Sequence, residues 1–249
     1  MDVNEYKIAA QETALEGFKR LNNTSQVEHR KFDFPSGSWE VNVVRGKVLE
    51  KATFSRVKLF TKHPYTGEDT QFDTIQAKAY PANPKVPILL FVQEHMVSGD
   101  KTFFSGMVDV APVAAREEHL RFLDAEIRKI VERHGGDFQA LRKKEENIYK
   151  LEQWAKPVNG AVGIHMPTEK ELFGLIRDAG LNWLRLYFTV VERSQNEPFA
   201  IEDMVLRDSV WSKIMEYYYL GDISINAGLK IGIPLEATNL SLLAPTLKY

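Results

Sequence analysis

The segment 80–112, YPANPKVPILLFVQEHMVSGDKTFFSGMVDVAP, constrains the fold more than any other part of the chain. It begins with three prolines spaced three residues apart, continues as an apolar run, turns at Ser98-Gly99-Asp100 and returns as a second apolar run. Prolines fix their φ angles and lack a backbone donor, so this beginning is a stiff connector. Two apolar runs around a short turn predict a β-hairpin of residues 87–97 and 101–111.

The predicted hairpin carries two carboxylates, Glu94 and Asp109, in otherwise apolar strands. Such groups are costly to desolvate, and chains retain them where they are paired or where a ligand needs them. If both side chains share a face, each raises the other's pKa and creates a proton donor near neutral pH. Alternatively, Glu94 points to solvent and Asp109 caps the following segment. His95, next to Glu94, must point to the opposite face.

The remaining pattern predicts one α+β domain over residues 1–249, with a single, largely antiparallel β-sheet flanked by helices on both faces. Residues 61–73 read as a polar loop, and Thr168 reads as the N-cap of a long helix, with Glu171 completing a capping box. The C-terminal strands are expected to pair back into the N-terminal sheet. Helices are predicted at 9–21, 117–133, 137–154 and 201–219, and further strands at 38–44, 48–60, 74–80, 157–164, 228–233 and 240–243.

Composition and motifs exclude several classes of function. The chain has no cysteine, which excludes thiolate metal sites, iron–sulfur clusters and cysteine nucleophiles. It has no H-x-x-x-H pattern, no G-x-S-x-G elbow and no glycine-rich phosphate loop, so no metal or tightly bound cofactor is predicted. A formal charge of −2 argues against nucleic acid, and residues 142–146 read as a solvated helix face. Without a signal or an apolar run of ~18 residues, a cytoplasmic location without a membrane span is expected.

Four segments resemble the oxygen-dependent coproporphyrinogen III oxidases. PANPKVP is similar to their P-x-N-P-x-V-P segment, and FSGMVDVAP is similar to F-G-G-G-x-D-L-T-P, which places Asp109 on the active-site aspartate. NVVRGKVLEKATFSRV and GLKIGIPLEATNLSLLAP resemble a conserved hairpin and the C-terminal segment of the same family. The resemblance implies a tetrapyrrole substrate and a homodimer. Tyr80-Pro81 and the DVAP sequence more weakly resemble the ferredoxin-dependent bilin reductases.

One departure from the oxidase pattern shapes the functional prediction. The family carries H-x-N-x-R after the prolines, where this chain has Leu90, Val92 and Glu94. A carboxylate therefore replaces the arginine that pairs with a substrate propionate, which turns attraction into repulsion. This replacement favours proton-coupled reduction of a linear tetrapyrrole, a bilin, with electrons from an external donor such as ferredoxin. In that prediction Glu94 donates a proton, Asp109 tunes it, and His165 is a second candidate donor.

Two alternative functions remain open at this stage. One is oxidative decarboxylation of coproporphyrinogen III in heme biosynthesis, with molecular oxygen and Asp109. The other is a non-catalytic tetrapyrrole carrier. His165 follows a predicted strand, where a histidine is as often an ordinary loop residue as a catalytic one. The candidate substrate-binding residues are Leu90, Val92, Asn83, Phe104 and Asn226.

Overall fold

The computed structural model describes residues 1–63, 67–148, 162–216 and 232–245. It confirms the α+β prediction, because seven strands form one sheet in sequential order and each strand is antiparallel to its neighbours. The strands are β1 Glu28–Phe34, β2 Gly37–Val44, β3 Leu49–Lys62, β4 Asp69–Pro81, β5 Ile88–Ser98, β6 Lys101–Ala111 and β7 Ile164–Glu169. The helices of the described residues are α1 Val3–Leu21, α2 Glu117–Arg133, α3 Phe138–Ile148, α4 Phe173–Ser194, α5 Ile201–Glu216 and α6 Leu235–Leu242.

Helices cover both faces of the sheet and create two hydrophobic cores. On one face, here called the α4 face, apolar side chains of α1, α2 and α4 pack against the sheet. On the opposite face, here called the α6 face, the core includes Trp211 of α5 and Leu242 of α6. Among the described residues, the α4 face holds the larger hydrophobic core. None of the helices in the described ranges is long and apolar enough to cross a membrane.

The predicted hairpin forms the fifth and sixth of the seven strands of the sheet. β5 and β6 pair without a register shift from Ile88 opposite Ala111 to Ser98 opposite Lys101. Gly99 adopts a positive φ of 59° in the connecting turn, a conformation that glycine takes without steric cost. Successive side chains alternate between faces, so even-numbered residues of β5 belong to the α6 face and odd-numbered ones to the α4 face.

The N-terminal half differs from the sequence analysis in two places. Residues 28–34 form an edge strand that the sequence did not indicate, because its side chains are mostly exposed and show no apolar alternation. Residues 69–73 were expected in a loop but extend β4, since pairing with β3 continues as far as Lys62 opposite Asp69. In both places backbone hydrogen bonds to a neighbouring strand override a polar composition.

The C-terminal half holds two further corrections. Thr168 lies in β7 and not at a helix N-cap, and α4 begins at Phe173 without a side-chain cap. Residues 240–243 were predicted as a strand but belong mostly to α6, which begins directly after Pro234. A short apolar run does not distinguish a helix from a strand by periodicity alone. Consequently, the C-terminal segment of the described chain packs on the sheet as a helix and does not join it.

Buried polar contacts fix α6 to the sheet. Lys51 Nζ donates to the backbone oxygens of Asn239 (3.0 Å) and Leu243 (2.6 Å), and Thr53 Oγ1 donates to that of Ser241 (2.7 Å). Tyr80 also donates to a backbone oxygen of α6. These bonds satisfy carbonyls at the end of the helix, where a cation is also favoured by the helix dipole. Burial lowers the pKa of Lys51 to about 7.

An ion cluster on the α4 face gives a pH-dependent prediction. Asp73 Oδ2 lies 2.9 Å from Lys7 Nζ, and Arg56 Nε donates to Asp73 Oδ1 over 2.7 Å. Burial alone would raise the pKa of Asp73, but hydrogen bonds from Arg56 and Lys7 outweigh it and lower the pKa below 3.8. The cluster therefore stabilises the fold above that pH, and the stabilisation is lost as pH falls through the lowered pKa.

We expect Asp73→Asn to lower the free energy of unfolding by about 1–2 kcal/mol at pH 7, since the pair is partly exposed. The deficit should shrink as pH falls below 3.8, because wild-type Asp73 then becomes protonated. Urea unfolding of both proteins across acid pH measures this difference. Asp33→Asn, at an exposed site, serves as the control and should unfold like wild type at every pH. A deficit that stays constant into acid would show that Asp73 acts through packing instead of charge.

Candidate functional site

The α6 face of β4, β5 and β6 carries buried polar side chains in register. Lys78 lies opposite Leu90, and Leu90 lies opposite Asp109. Residues directly opposite in an antiparallel sheet share a face, so Lys78 and Asp109 flank Leu90 on the same side. Both are fully buried. With strands about 4.8 Å apart, their backbones are separated by about 10 Å.

Two further sets of residues paired across these strands also place polar side chains on the same face. Gln76 lies opposite Val92, which lies opposite Met107, and Met107 lies opposite His165 of β7. In the second set, Ser105 lies opposite Glu94 and donates to Glu94 Oε2 over 2.7 Å. Asp109, Glu94, His165, Leu90 and Val92 of the sequence-based predictions therefore all occupy one face. We refer to this face of β4–β7 as the candidate site.

Asp109 is held by one backbone donor from β6 and one from the residue directly before β7. Its Oδ1 accepts hydrogen bonds from the N–H of Val110 (2.8 Å) and of Gly163 (2.6 Å), and its own carbonyl accepts from Trp183 Nε1 (3.2 Å). Burial raises the pKa of this carboxyl, although Arg142 and the two backbone N–H groups favour the charged form. Desolvation prevails, so Asp109 retains its proton at a higher pH than an exposed aspartate does.

A second buried carboxyl, Glu145 of α3, lies within hydrogen-bonding reach of Asp109. It is fully buried, and Arg142 one helical turn before it is 7% exposed. Two carboxyls that close can share a single proton, and the nearby guanidinium balances the remaining charge. The arrangement can therefore hold and release one proton away from solvent.

Sequence reasoning missed Glu145 because residues 142–146 read as a solvated helix face. The spacing within the helix contained the correct signal. Glu145 follows Phe138 by seven residues and Leu141 by four, so it lies on the same stripe of α3 as those apolar side chains. Lys78 and Gln76 were missed for a similar reason, because alternating polar residues in a strand usually face solvent.

Glu94 shares the face of Asp109 but does not couple to it. The two lie four residues apart in register, which corresponds to about 13 Å along the strands. The carboxyl that interacts with Asp109 is Glu145. His95 points to the α4 face as predicted, where its ring stacks on that of Phe104 at 5.2 Å between centroids.

His165 is half-buried and lies at the β7 edge of the candidate site, opposite Met107. Burial, followed by the charge of Lys144, lowers its pKa to about 4. The imidazole is therefore neutral at neutral pH. In that state it can exchange hydrogen bonds with a ligand but has no imidazolium proton to donate.

The other candidate residues occupy different places. Asn83 donates to the backbone oxygens of Gln195 and Glu197 and accepts from the N–H of Lys85, so its amide is engaged within the protein. Phe104 lies on the α4 face, away from Asp109. Asn226 falls outside the described residues.

One cluster among the described residues has the spacing of a metal site. Oxygen and nitrogen atoms of Glu118, His119 and Glu197 lie within 4.8 Å of one another. Arg116 Nε lies 2.8 Å from Glu197 Oε2, and His119 Nε2 lies 3.0 Å from Glu197 Oε1. The guanidinium already balances the carboxylate charge, so the cluster is explained as an ion-pair network, and it is separate from the candidate site.

Comparisons with known proteins identify the family to which this chain belongs. A family model described as coproporphyrinogen III oxidase matches residues 3–248. A curated relative, the oxygen-dependent coproporphyrinogen-III oxidase of Dictyostelium discoideum, is 24% identical over 244 residues. The match covers 92% of this chain and 68% of the relative.

These comparisons overturn the main functional prediction. Bilin reduction was inferred from the loss of the propionate-pairing arginine and the gain of Glu94, but the family match runs over nearly the whole chain. The error arose because one altered strand was given more weight than the four resembling segments. Neither a bilin substrate nor ferredoxin as electron donor is supported, and the alternative of porphyrinogen oxidation is favoured.

Proposed function

Because this chain belongs to the coproporphyrinogen III oxidase family, we propose that it oxidatively decarboxylates propionate side chains of a porphyrinogen, with molecular oxygen as the oxidant. The observation that carries the proposal is Asp109, a buried carboxyl with a raised pKa in the segment that resembles the family's aspartate motif. The name of the curated relative supports oxygen as the oxidant.

The reaction requires proton and electron transfer at each propionate. The bond between the carboxylate carbon and its neighbour breaks, and the two remaining carbons become a vinyl group. One CO₂, one proton and two electrons leave the substrate, and the electrons reduce O₂, which takes up two protons and becomes hydrogen peroxide. The protein must therefore accept and return protons near an electron-rich pyrrole.

Asp109 is suited to this proton transfer. A group acts best as acid or base when its pKa lies near the working pH, and burial moves the pKa of Asp109 in that direction. Glu145 can share the proton, which keeps the net charge of the pair at one. Apolar neighbours such as Leu90 and Met107 restrict water, so the proton passes between the substrate and the carboxyl pair.

The test is incubation of the purified chain with coproporphyrinogen III in air and under argon. We expect a product with two vinyl groups and two fewer carboxylates in air, and unchanged substrate without oxygen. Chromatography of the products after oxidation to porphyrins counts their carboxylates. Unchanged substrate in air, with a porphyrin bound to the protein, would contradict the proposal and favour the carrier.

A further inference from the structure

We propose that Trp183 of α4 is a positioning residue for Asp109, because its indole N–H fixes the backbone from which the candidate acid projects. The inference rests on the proposed function and deepens it, since Trp183 lies outside the segments that resemble the family. Three observations carry it: the point where β6 and β7 cease to pair, the hydrogen bond from Trp183, and the state of the other buried tryptophans.

Pairing between β6 and β7 ends directly before Asp109. The last paired residues are Val108 and Ile164, and the residue that would face Asp109 is Gly163, which precedes β7. The N–H of Gly163 donates to Asp109 Oδ1 over 2.6 Å, whereas a continued ladder would offer it a backbone carbonyl. The carboxyl of Asp109 thus takes the place of a strand carbonyl as the acceptor of that N–H.

The backbone carbonyl of Asp109 accepts a hydrogen bond from the opposite layer. Trp183 Nε1 donates to this oxygen over 3.2 Å, and both residues are fully buried. The indole lies in the α4 face core together with Val108 and Val110, which flank Asp109 along β6. A buried carbonyl that loses its donor costs free energy, so β6 is favoured in the position where it meets the indole.

The hydrogen bond distinguishes Trp183 from the other tryptophans of the described ranges. Trp39 and Trp211 are as deeply buried, yet neither indole N–H has a hydrogen-bond partner. Burial of a tryptophan in this protein therefore does not by itself come with a bonded N–H. Within the described ranges, the indole that makes such a bond makes it to the residue that carries the candidate acid.

The fixed backbone sets the direction of the Asp109 carboxyl. From this position Oδ1 reaches the N–H groups of Val110 and Gly163, and the carboxyl lies within hydrogen-bonding reach of Glu145. A displacement of about 1 Å can reduce the rate of a catalytic group by roughly a hundredfold. A residue that holds the acid from behind therefore contributes to the reaction without touching the substrate.

The test is Trp183→Phe, which removes the N–H donor and keeps most of the buried ring. Trp39→Phe is the matched control, because it makes the same change at an equally buried tryptophan whose N–H has no partner and which lies on β2, outside the candidate site. We expect Trp183→Phe to lower kcat for coproporphyrinogen III about tenfold at unchanged KM, since the acid is misplaced and the substrate contacts remain. Trp39→Phe should turn over like wild type per folded molecule.

A second readout does not depend on turnover. The pKa of Asp109 in the ligand-free protein follows from ¹³C NMR of carboxyl-labelled aspartate, with the signal assigned by its absence from Asp109→Asn. We expect Trp183→Phe to raise this pKa by about half a unit, because a displaced carboxyl loses part of the bonds from Val110 and Gly163 that favour its charged form. The charged and titratable groups that face Asp109 stay the same in both variants, namely Arg142, Glu145, Lys78 and His165.

Trp183→His separates the hydrogen bond from packing. The imidazole Nε2 occupies the place of the indole Nε1 when both side chains share a rotamer, so this variant keeps a donor and loses more of the buried ring. Above neutral pH, where a buried imidazole is neutral, its kcat per folded molecule should exceed that of Trp183→Phe although its thermal stability is lower. A role in packing alone predicts that kcat follows stability.

The outcomes separate this inference from the proposed function. If Trp183→Phe matches Trp39→Phe in both kcat and the pKa of Asp109, the inference is wrong. If wild type leaves coproporphyrinogen III unchanged in air, the proposed function fails, and the pKa comparison alone decides whether Trp183 positions the carboxyl.

Discussion

Asp109→Asn should reduce turnover of coproporphyrinogen III by roughly a hundredfold or more, the usual contribution of a positioned acid or base. Asparagine has nearly the same size, and its carbonyl can accept the N–H groups of Val110 and Gly163 as the carboxylate does. Its amide neither gains nor loses a proton near neutral pH, so it cannot act as a general acid or base. The initial rate in air, measured at saturating substrate, gives the effect on kcat.

The stability of this variant distinguishes a catalytic from a structural role. Because burial disfavours the charged form of Asp109, removal of the charge should leave the free energy of unfolding unchanged within about 1 kcal/mol. Asp73→Asn is the matched control on the opposite face and should show the reverse pattern, with lower stability and normal turnover per folded molecule. Normal turnover by Asp109→Asn would remove Asp109 from the chemistry.

The sequence predicted the β5–β6 hairpin and α2 better than the edge strand β1 and the helix α6. β5, β6 and α2 were located within about one residue, because their apolar periodicity and turn residues agree. β1 has neither an apolar periodicity nor clear turn residues, and its pairing with β2 makes it a strand. α6 illustrates the opposite case, since its apolar residues fit a strand equally well and the buried contacts of Lys51 and Tyr80 stabilise it as a helix.

Burial of the candidate-site residues could be predicted from the sequence in some segments and not in others. Asp109 interrupts an apolar strand, so its burial could be inferred from its neighbours. Lys78 and Glu145 lie in segments rich in polar residues, where burial depends on which layer covers them. That depends on tertiary packing, which one sequence does not reveal.

Gly163→Ala should lower the free energy of unfolding by about 3 kcal/mol or more, at the upper end of overpacking effects. A Cβ at this position would lie 2.0 Å from the backbone oxygen of Val108 and 2.4 Å from Asp109 Cα. Neither is the end of a flexible side chain, so β7 must move away from β6. The movement also weakens the bond from the Gly163 N–H to Asp109 Oδ1, which leaves a buried acceptor less well satisfied.

Gly163→Ala should affect both stability and the Asp109 carboxyl, because Gly163 packs against β6 and its N–H donates to Asp109 Oδ1. Loss of the Gly163 donor should raise the pKa of Asp109 further, since that N–H favours the charged form. Gly174→Ala is the control, because its Cβ meets only the His134 ring at 3.4 Å and alanine is favoured in a helix by about 1 kcal/mol. Denaturant unfolding should show a loss only for Gly163→Ala. Equal stability of the two variants would mean that β7 does not approach Asp109 this closely, and Asp109 would then need another donor to hold its carboxyl in place.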